Sequence, residues 1–589
     1  MLWNLDVAAA RRALIITLVL WLVLAVTYAL RLPMVMDELQ GAFSVWQLGD
    51  GVPYRDYRPY KTLLGYAVQW PALSLWPGTW WAKVHVIRVE MAVVAAVAMV
   101  FAGRRLLPLL RPSAVVIATL LLAVMSTWLE RAIALRVDML SALCGLFALL
   151  ALLEGAGGDR VLRSVVVAGL CAGLSFIVSQ KGVYYMVAGG AAALVVQASS
   201  TAQSAADAAP AAAWRAAPRT ALRTALRTAL RNGAAFALAA CLPIAAYLLI
   251  FGALAGFAAV FDAVFLANRA IALDNLYDVG IKYYWFQTFK RNPLFWSAAL
   301  LGLATTLLAR RSAAARPLDR PLAVFGAALL LLALWHKQPW PYFFVMVIPT
   351  LWVLVARFFD HELARDGKLG RVAIAAVVIL GLLLPLARLP KAFARDDARQ
   401  RGVMLTLERV LPADGRYFAG VQLLPTRRHV QSATLGWLDA RRVGELHRSD
   451  VAAVFASLQR APPLIVVESY RTRNLPHALR AYIDAETAPF CGPSRHAVAR
   501  ASAIQRAEGP AWQVVVPATG TWRVELADKG DSVRIDGVDH AAGAVVSLQA
   551  GAHGLDGALD GRLVRVAEAD IVADLDCSDG ELFGGVYDW

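Results

Sequence analysis

Cysteine is scarce, five in 589 residues, and that excludes a disulfide-stapled scaffold. Charge is scarce as well. Asp, Glu, Lys and Arg together make up 17% of the chain, against about 25% in an ordinary soluble domain. Apolar residues fill the gap at 59%, with a mean hydropathy of +0.55. That excludes disorder and a soluble enzyme with a large core. Acidic residues are fewer than basic ones, 43 against 58, for a net charge of +15. In a soluble chain this excess points to nucleic acid. In a chain this apolar it reflects arginine in cytoplasmic loops, and no nucleic-acid partner is expected. Also missing are a Walker phosphate loop, a Gly-x-Ser-x-Gly elbow, a His-Glu-x-x-His motif and any His/Cys cluster with metal-ligand spacing. These gaps leave P-loop nucleotide chemistry, serine hydrolysis and zinc-peptidase chemistry without a sequence basis.

What is present is a series of apolar runs before residue 390. A helix needs about 20 apolar residues to cross the hydrocarbon core. Eleven runs approach that length: 13–30, 84–102, 113–128, 139–153, 164–178, 183–197, 234–258, 294–309, 321–335, 341–356 and 372–387. The first is longer than a signal-peptide core and is followed by Arg31-Leu32-Pro33 rather than small residues, so it reads as a retained span. Arginine and lysine gather in alternate loops: Arg104, Arg105 and Arg111; Arg160 and Arg163; Arg215 to Arg231; Arg310 to Arg320; Arg357 to Arg371. The bias places the N-terminus in the cytoplasm. An odd number of spans then places everything after residue 390 in the periplasm of a bacterial inner membrane. Within the cytoplasmic loop 198–232, Arg219, Arg223, Arg227 and Arg231 recur every fourth residue. On a helix that is a basic stripe suited to anionic headgroups; equally, it is an expanded repeat in a tolerant loop.

The long outer loops carry the chemistry, since a folded loop holds polar groups that a span cannot. The first, 31–83, opens with Asp37 and Glu38 at the start of a short amphipathic helix marked by Leu39, Phe43 and Trp46. Taken alone, Asp37 reads as a helix cap. The loop continues Gly51-Val52-Pro53-Tyr54-Arg55-Asp56-Tyr57-Arg58-Pro59-Tyr60-Lys61. Three further groups stand at outer span ends: Arg136-Val137-Asp138, Gln180-Lys181-Gly182, and His336-Lys337 leading to Trp340-Pro341-Tyr342. The loop 259–293 adds Arg269 and the aromatic run Tyr283-Tyr284-Trp285.

In this order and on this common face, these pieces resemble the GT-C glycosyltransferases, above all the relatives of protein O-mannosyltransferase and of the lipid A aminoarabinose transferase. The resemblance covers residues 1–390. It implies transfer of a sugar from a polyprenyl-phosphate carrier to a cell-envelope acceptor on the outer face, with an acid of the first loop as base. Asp37 stands at the matching position, with Glu38 beside it. Relatives carry Glu-Lys-Pro later in this loop, where this chain has Tyr60-Lys61-Thr62; the lysine is kept, and Asp56 is the nearest substitute for the acid. The chemistry suits these residue types independently. A carboxylate takes the proton of the attacking hydroxyl or amine, and cations stabilise the leaving phosphate. Arg55, Arg58, Lys61, Arg136, Lys181, Arg269 and Lys337 are the candidates. Each is also a residue that snorkels at the membrane boundary. Tyr54, Tyr57, Tyr60, Tyr283, Tyr284, Trp285 and His336 are candidates for contact with sugar or isoprenoid, or are interfacial belt residues. No cofactor is required; a divalent cation, Mg or Mn, has a place among Asp37, Glu38 and Asp56. The partners implied are a lipid-linked donor, the acceptor and membrane lipids.

After residue 390 the composition turns globular. Residues 391–495 alternate helix and strand patterns, as a small α/β module, and 496–589 show period-two strands, as a β-sandwich-like module. Cys491 and Cys577 lie in this exported part and are expected to pair there. A transporter or flippase, or a non-catalytic assembly protein on the same scaffold, is the alternative function. A transporter predicts paired broken helices or an internal repeat with mid-bilayer polar residues, and neither pattern stands out.

Overall fold

The computed structural model describes residues 5–583 apart from 60, 157, 159, 197–216, 267–280, 310–315, 337–339, 366–367, 413–414, 430–447, 461, 474, 507–508, 557–560 and 567–581. The chain divides into two compact units. The first comprises residues 1–32, 44–78 and 82–395; the second comprises 33–43, 79–81 and 396–589.

The first unit is a bundle of apolar helices. In chain order they are α1 (Val7–Arg31), α2 (Met36–Gln47, shared with the second unit), α3 (Leu64–Leu75), α4 (Trp80–Leu106), α5 (Pro112–Ala123), α6 (Ser126–Arg131), α7 (Val137–Gly155), α8 (Val161–Val178), α9 (Val183–Ala193), α10 (Ala217–Ala255), α11 (Phe257–Phe261), α12 (Ile281–Arg291), α13 (Pro293–Ala309), α14 (Asp319–Trp335), α15 (Ile348–Ala364) and α16 (Lys368–Leu386). Helices overlap each of the eleven expected spans, with a 3-10 stretch at Pro341–Met346 leading into α15. Among the described residues, six segments are long and apolar enough to cross a membrane on their own: Val7–Arg31, Trp80–Leu106, Val137–Gly155, Val161–Val178, Arg223–Ala255 and Gly370–Val410. The others are shorter; α5 has 12 residues, about 18 Å at 1.5 Å per residue, and is extended by α6 after the break at Val124–Met125.

Large apolar side chains on outward faces, such as Ile16, Val19, Leu20 and Val23 of α1 and Leu238, Leu242 and Leu249 of α10, are exposed, which is the surface a bilayer covers. Helix α8 packs between α7 and α10. Ser141 of α7 and Ser175 of α8 clasp each other, hydroxyl to hydroxyl at 2.7 Å, each also donating to the other's carbonyl at 3.0 and 2.8 Å. Small hydroxyl side chains of this kind satisfy one another across helices where no water is present. Helix α10 runs unbroken for 39 residues, so Arg223, Arg227 and Arg231 continue the axis of a span rather than forming a separate surface helix.

Several arginines that set the topological bias are ion-paired. Arg105 meets Glu154, and Arg316 meets Asp360 at 2.8 Å. Arg357 grips Asp319 with two bonds at 2.6 and 2.9 Å and Asp360 with one at 3.2 Å.

The second unit carries a mixed sheet. Strands β1 (Arg416–Ala419), β2 (Arg428–His429) and β3 (Ile465–Val467) are parallel, flanked by the helices Arg448–Arg460 and His477–Glu486 over a core of Phe418, Val454, Leu458, Val466, Leu479 and Ile483. Strand β4 (Thr487–Cys491) and the long β5 (Ser494–Arg506) follow. β5 pairs with β3 and β4 at its start, then with β12 (Gly561–Arg565) and β6 (Gly509–Val516) at its end. It therefore runs across the expected 495/496 boundary as one strand. The remaining strands close around Trp522, Val514, Val524 and Leu563.

Candidate functional site

The first loop brings Lys61 to the start of α7. Gly65 in the first turn of α3 makes this approach feasible, since a Cβ there would collide with the Val137 side chain. Thr62 donates to the Phe176 carbonyl at 3.2 Å, and the Leu63 N–H donates to the Tyr247 hydroxyl at 3.1 Å. On the other side, Lys181 sits in a single 3-10 turn, Gln180–Gly182. That turn folds back on the end of α8, and Gly182 lies against the Ser175–Phe176 backbone with no room for a side chain.

These two segments and α7 converge on Asp138. Its carboxylate is 1% exposed. It accepts from Lys61 Nζ at 3.1 and 3.2 Å, from Arg136 Nε at 3.1 Å and from Ser179 Oγ at 3.3 Å. Lys181 Nζ lies 3.3 Å away. Asp138 also occupies the first turn of α7, where the helix dipole favours an anion. Three cations thus surround one carboxylate. Burial pushes the Lys61 ammonium down to about 7, against the pull of Asp138 and with Lys181 and Arg136 adding to the depression. An incoming anion relieves both effects.

An aromatic floor continues the site. The Arg136 guanidinium lies 3.4 Å over the Tyr342 ring, and Lys181 Nζ is 5.4 Å from the same ring. His336 stacks on Phe343 at 4.2 Å, and its Nδ1 is 2.7 Å from the Tyr184 hydroxyl. Tyr284 packs on Trp340 at 5.5 Å, and Trp285 meets Phe344 edge-on at 4.9 Å. Tyr283 is exposed. Near Lys61, Tyr54 holds a left-handed backbone at φ 66°, with its hydroxyl bonded to that of Tyr247. Burial raises the Tyr54 and Tyr57 phenols above their ordinary range.

The structure does not bring every candidate into this cluster. Arg55 and Asp56 pair with each other at 2.9 Å in an exposed loop, and Asp56 also accepts from the Val52 N–H. The Arg55 guanidinium and that N–H hold the Asp56 carboxyl down at about 2. Arg58 pairs with Asp262 at 2.8 Å, both exposed. Tyr60, Arg269, Lys337 and Cys577 lie outside the described residues, as does the side chain of Cys491, so the Cys491–Cys577 pairing falls outside them too.

Asp37 and Glu38 belong to the second unit. The Gln400 side chain ties their segment to it, accepting from the Met34 N–H at 2.8 Å and donating to the Met34 carbonyl at 2.9 Å. Glu38, not Asp37, is the capping residue: Oε1 accepts from the Val35 N–H at 3.0 Å, and the side chain is buried. This is the acidic half of a capping box. Asp37, one position earlier, is half-buried. Among the described residues no three of His, Cys, Asp and Glu gather as metal ligands.

Sequence reasoning noticed Asp138 only as part of Arg136-Val137-Asp138 and Tyr342 only as the end of the His336 motif, and missed Tyr184 and Tyr247 altogether. The available signal was an acid at a span end flanked by basic residues on separate loops, since a buried carboxylate there must be paired.

No protein-family model and no curated protein matches the sequence. Among solved structures, ArnT from Cupriavidus metallidurans bound to undecaprenyl phosphate is similar, at 15% identity and a TM-score of 0.52, over 81% of this chain and 95% of that one. The apo form of ArnT gives 13% and 0.50 over the same shares. The Archaeoglobus fulgidus oligosaccharyltransferase in its apo form gives 13% and 0.45 over 77% of this chain and 69% of that one. The chain has the GT-C-like fold that its outer-face motifs resemble: a helical membrane portion followed by a β-rich C-terminal region.

Proposed function

We propose that this protein is a membrane glycosyltransferase that moves a sugar from a polyprenyl-phosphate donor to a hydroxyl or amine of a cell-envelope acceptor, on the periplasmic face of the inner membrane. The observation that carries the reading is the convergence of three cations on Asp138. A donor phosphodiester carries one negative charge, and the polyprenyl phosphate that leaves carries up to two. A phosphate beside Lys61, Arg136 and Lys181 gains more from them the more negative charge it carries. The pocket therefore favours the leaving group over the bound donor, as transition-state stabilisation requires. The undecaprenyl phosphate in the similar ArnT structure is in keeping with this ligand class.

In the proposed reaction, acceptor oxygen or nitrogen attacks the anomeric carbon and the carbon–oxygen bond to phosphate breaks. The acceptor proton passes to Asp37, and the bond electrons remain on the phosphate held by Lys61, Arg136 and Lys181. Asp37 is preferred over Glu38 because Glu38 is buried and bonded to the Val35 N–H. Arg269 and Lys337 are proposed as further phosphate contacts, and Tyr54, Tyr57 and His336 with its ring neighbours as the wall for sugar and isoprenoid.

The test is turnover of purified Asp37→Asn with a polyprenyl-phosphate sugar. Loss of a general base lowers the rate by about 10²–10⁴. Near-normal turnover in a folded variant assigns Asp37 a structural role. Donor binding by Lys61→Ala is measured in parallel, and an unchanged affinity overturns the phosphate site independently of the base.

A further inference from the structure

A second cation cluster lies at the same end of the bundle, in residues the proposed reaction does not use. Glu130, in α6, is 6% exposed. Arg291 reaches its carboxylate at 3.3 Å, Arg395 at 3.2 Å and Arg131 at 4.0 Å. Again three cations face one carboxylate, and a fourth joins them: Arg388, exposed, donates to the Arg291 carbonyl at 3.0 Å. Asn292 fixes the arrangement, accepting from the Ser126 N–H at 3.0 Å and donating to Thr127 Oγ1 at 3.2 Å.

Arg291 and Asn292 also line a groove whose other walls are apolar: Leu121 of α5 and Met125 just after it, Leu294 and Phe295 of α13, and Leu384 and Pro385 of α16. Leu384 also belongs to the outward stripe of α16, where Ile379, Leu380, Leu383 and Leu384 are exposed. The groove thus joins an apolar outward face to the Arg291 guanidinium, beside which Arg388 and Arg395 stand. That pairing suits an amphiphile with an anionic head.

We propose that this groove binds an anionic phospholipid of the bilayer, its headgroup phosphate on Arg291, Arg388 and Arg395 and an acyl chain along Leu121, Leu294 and Leu384. Charge complementarity selects the headgroup, and continuity with the bilayer-facing stripe of α16 selects a membrane lipid over a soluble anion. The site shares no residue with the Asp138 cluster and stands or falls separately from it.

The test is lipid retention by the purified full-length protein, read by native mass spectrometry with phosphatidylglycerol, phosphatidylcholine of the same chains, inorganic phosphate and undecaprenyl phosphate as probes. Phosphatidylglycerol is expected to be retained over phosphatidylcholine. Arg388→Ala with Arg395→Ala is expected to weaken it by about thirtyfold, as loss of two juxtamembrane cations does. Leu384→Trp, which fills the groove, weakens it as well, and Lys61→Ala leaves it unchanged. Should the double variant be unstable, Arg388→Ala and Leu384→Trp decide alone, because neither touches Glu130. Equal retention of the two phospholipids overturns the proposal, as does indifference to both Arg388→Ala and Leu384→Trp. Displacement by inorganic phosphate at equal concentration also overturns it, marking a soluble-anion site, and so does preferential displacement by undecaprenyl phosphate, marking a second donor site.

Discussion

The two buried ion clusters around Asp138 and around Asp319 and Asp360 use the same residue types to opposite ends. At the Asp319 end, three guanidiniums share two carboxylates: Arg357 holds Asp319 bidentately and Asp360 by a third bond, Arg316 meets Asp360 at 2.8 Å, and Arg111 lies 3.9 Å from it while its backbone N–H donates to it at 3.0 Å. Both carboxylates are held from several sides. At the Asp138 end one carboxylate faces three cations, two of them lysines that bind as point charges. In the reading proposed above, a donor phosphate joins that cluster. The contrast teaches that burial of ions does not by itself mark a site. The ratio separates the two: two carboxylates share three guanidiniums at the first, one carboxylate meets three cations at the second, and the second is the one proposed to receive a ligand.

Breaking the Asp319 cluster has the largest expected effect on folding. Arg357→Ala leaves Asp319 buried without its guanidinium and Asp360 with Arg316 and Arg111, at a cost of about 3–5 kcal/mol. Folded yield and thermal midpoint fall together, while turnover per folded molecule stays near that of the parent. A loss of turnover without a loss of stability would erase the distinction between the clusters. The corresponding change at the other end, Arg136→Ala, leaves Asp138 with Lys61 and Lys181. The protein is expected to fold and to lose donor affinity by about 10–100-fold, the value of one charge-assisted hydrogen bond. A titration with the polyprenyl-phosphate sugar measures it.

Protonation sharpens the comparison further. Lys61 is pushed down to about 7 by burial, so it is charged below that pH and neutral above it. Because its folded value lies below its unfolded value, proton loss between about 7 and 10.5 favours the unliganded folded state. Anion binding needs the charged form. Affinity for a donor phosphodiester, which has no proton of its own to lose in this range, is therefore flat below pH 7 and falls above it by up to about tenfold per pH unit. Lys61→Arg, which stays charged, is expected to flatten the profile. A parent profile that is already flat from pH 6 to 9 would show that Lys61 does not contact the phosphate.

The sequence made one half of this comparison legible. Apolar runs announced the membrane helices among the described residues, and period-two patterns announced β6 and the strands Gly520–Leu526 and Val545–Leu548. The Thr-Ala-Leu-Arg repeat was read as a loop because its composition is polar on one face, yet each of its residues suits a helix, so α10 begins at Ala217 rather than near 234. Strand β5 escaped notice because Ser494–Arg506 mixes Arg, His and Ala without clean alternation; both ends pair with different partners, so no single face is apolar. The cations Lys61, Arg136 and Lys181 were named from motifs on three separate loops. Their common partner was not, because which carboxylate three distant loops share is a tertiary fact. The division of Asp37 and Glu38 likewise lay beyond pattern: adjacent acids at a helix start look alike until one of them closes a capping box.

The smallest expected effect separates charge from orientation within the Asp138 cluster. Tyr342 is half-buried beneath Arg136, whose guanidinium carbon lies 3.4 Å from the ring centre. A ring face attracts the cation without accepting its N–H groups in line, so the stack fixes the guanidinium plane while Nε bonds Asp138. A carboxylate in the same place would consume those donors and cancel the charge. If the face is what matters, Tyr342→Phe keeps donor affinity within about twofold, whereas Tyr342→Leu loses about 0.5–2 kcal/mol, some two- to thirtyfold. The loss belongs in donor KM rather than in kcat, since the ring orients a binding group and touches no reacting atom. Equal losses in the Phe and Leu variants would assign the effect to the phenol hydroxyl, and the aromatic floor would then be part of the sugar-binding wall rather than the support that keeps Arg136 aimed at phosphate.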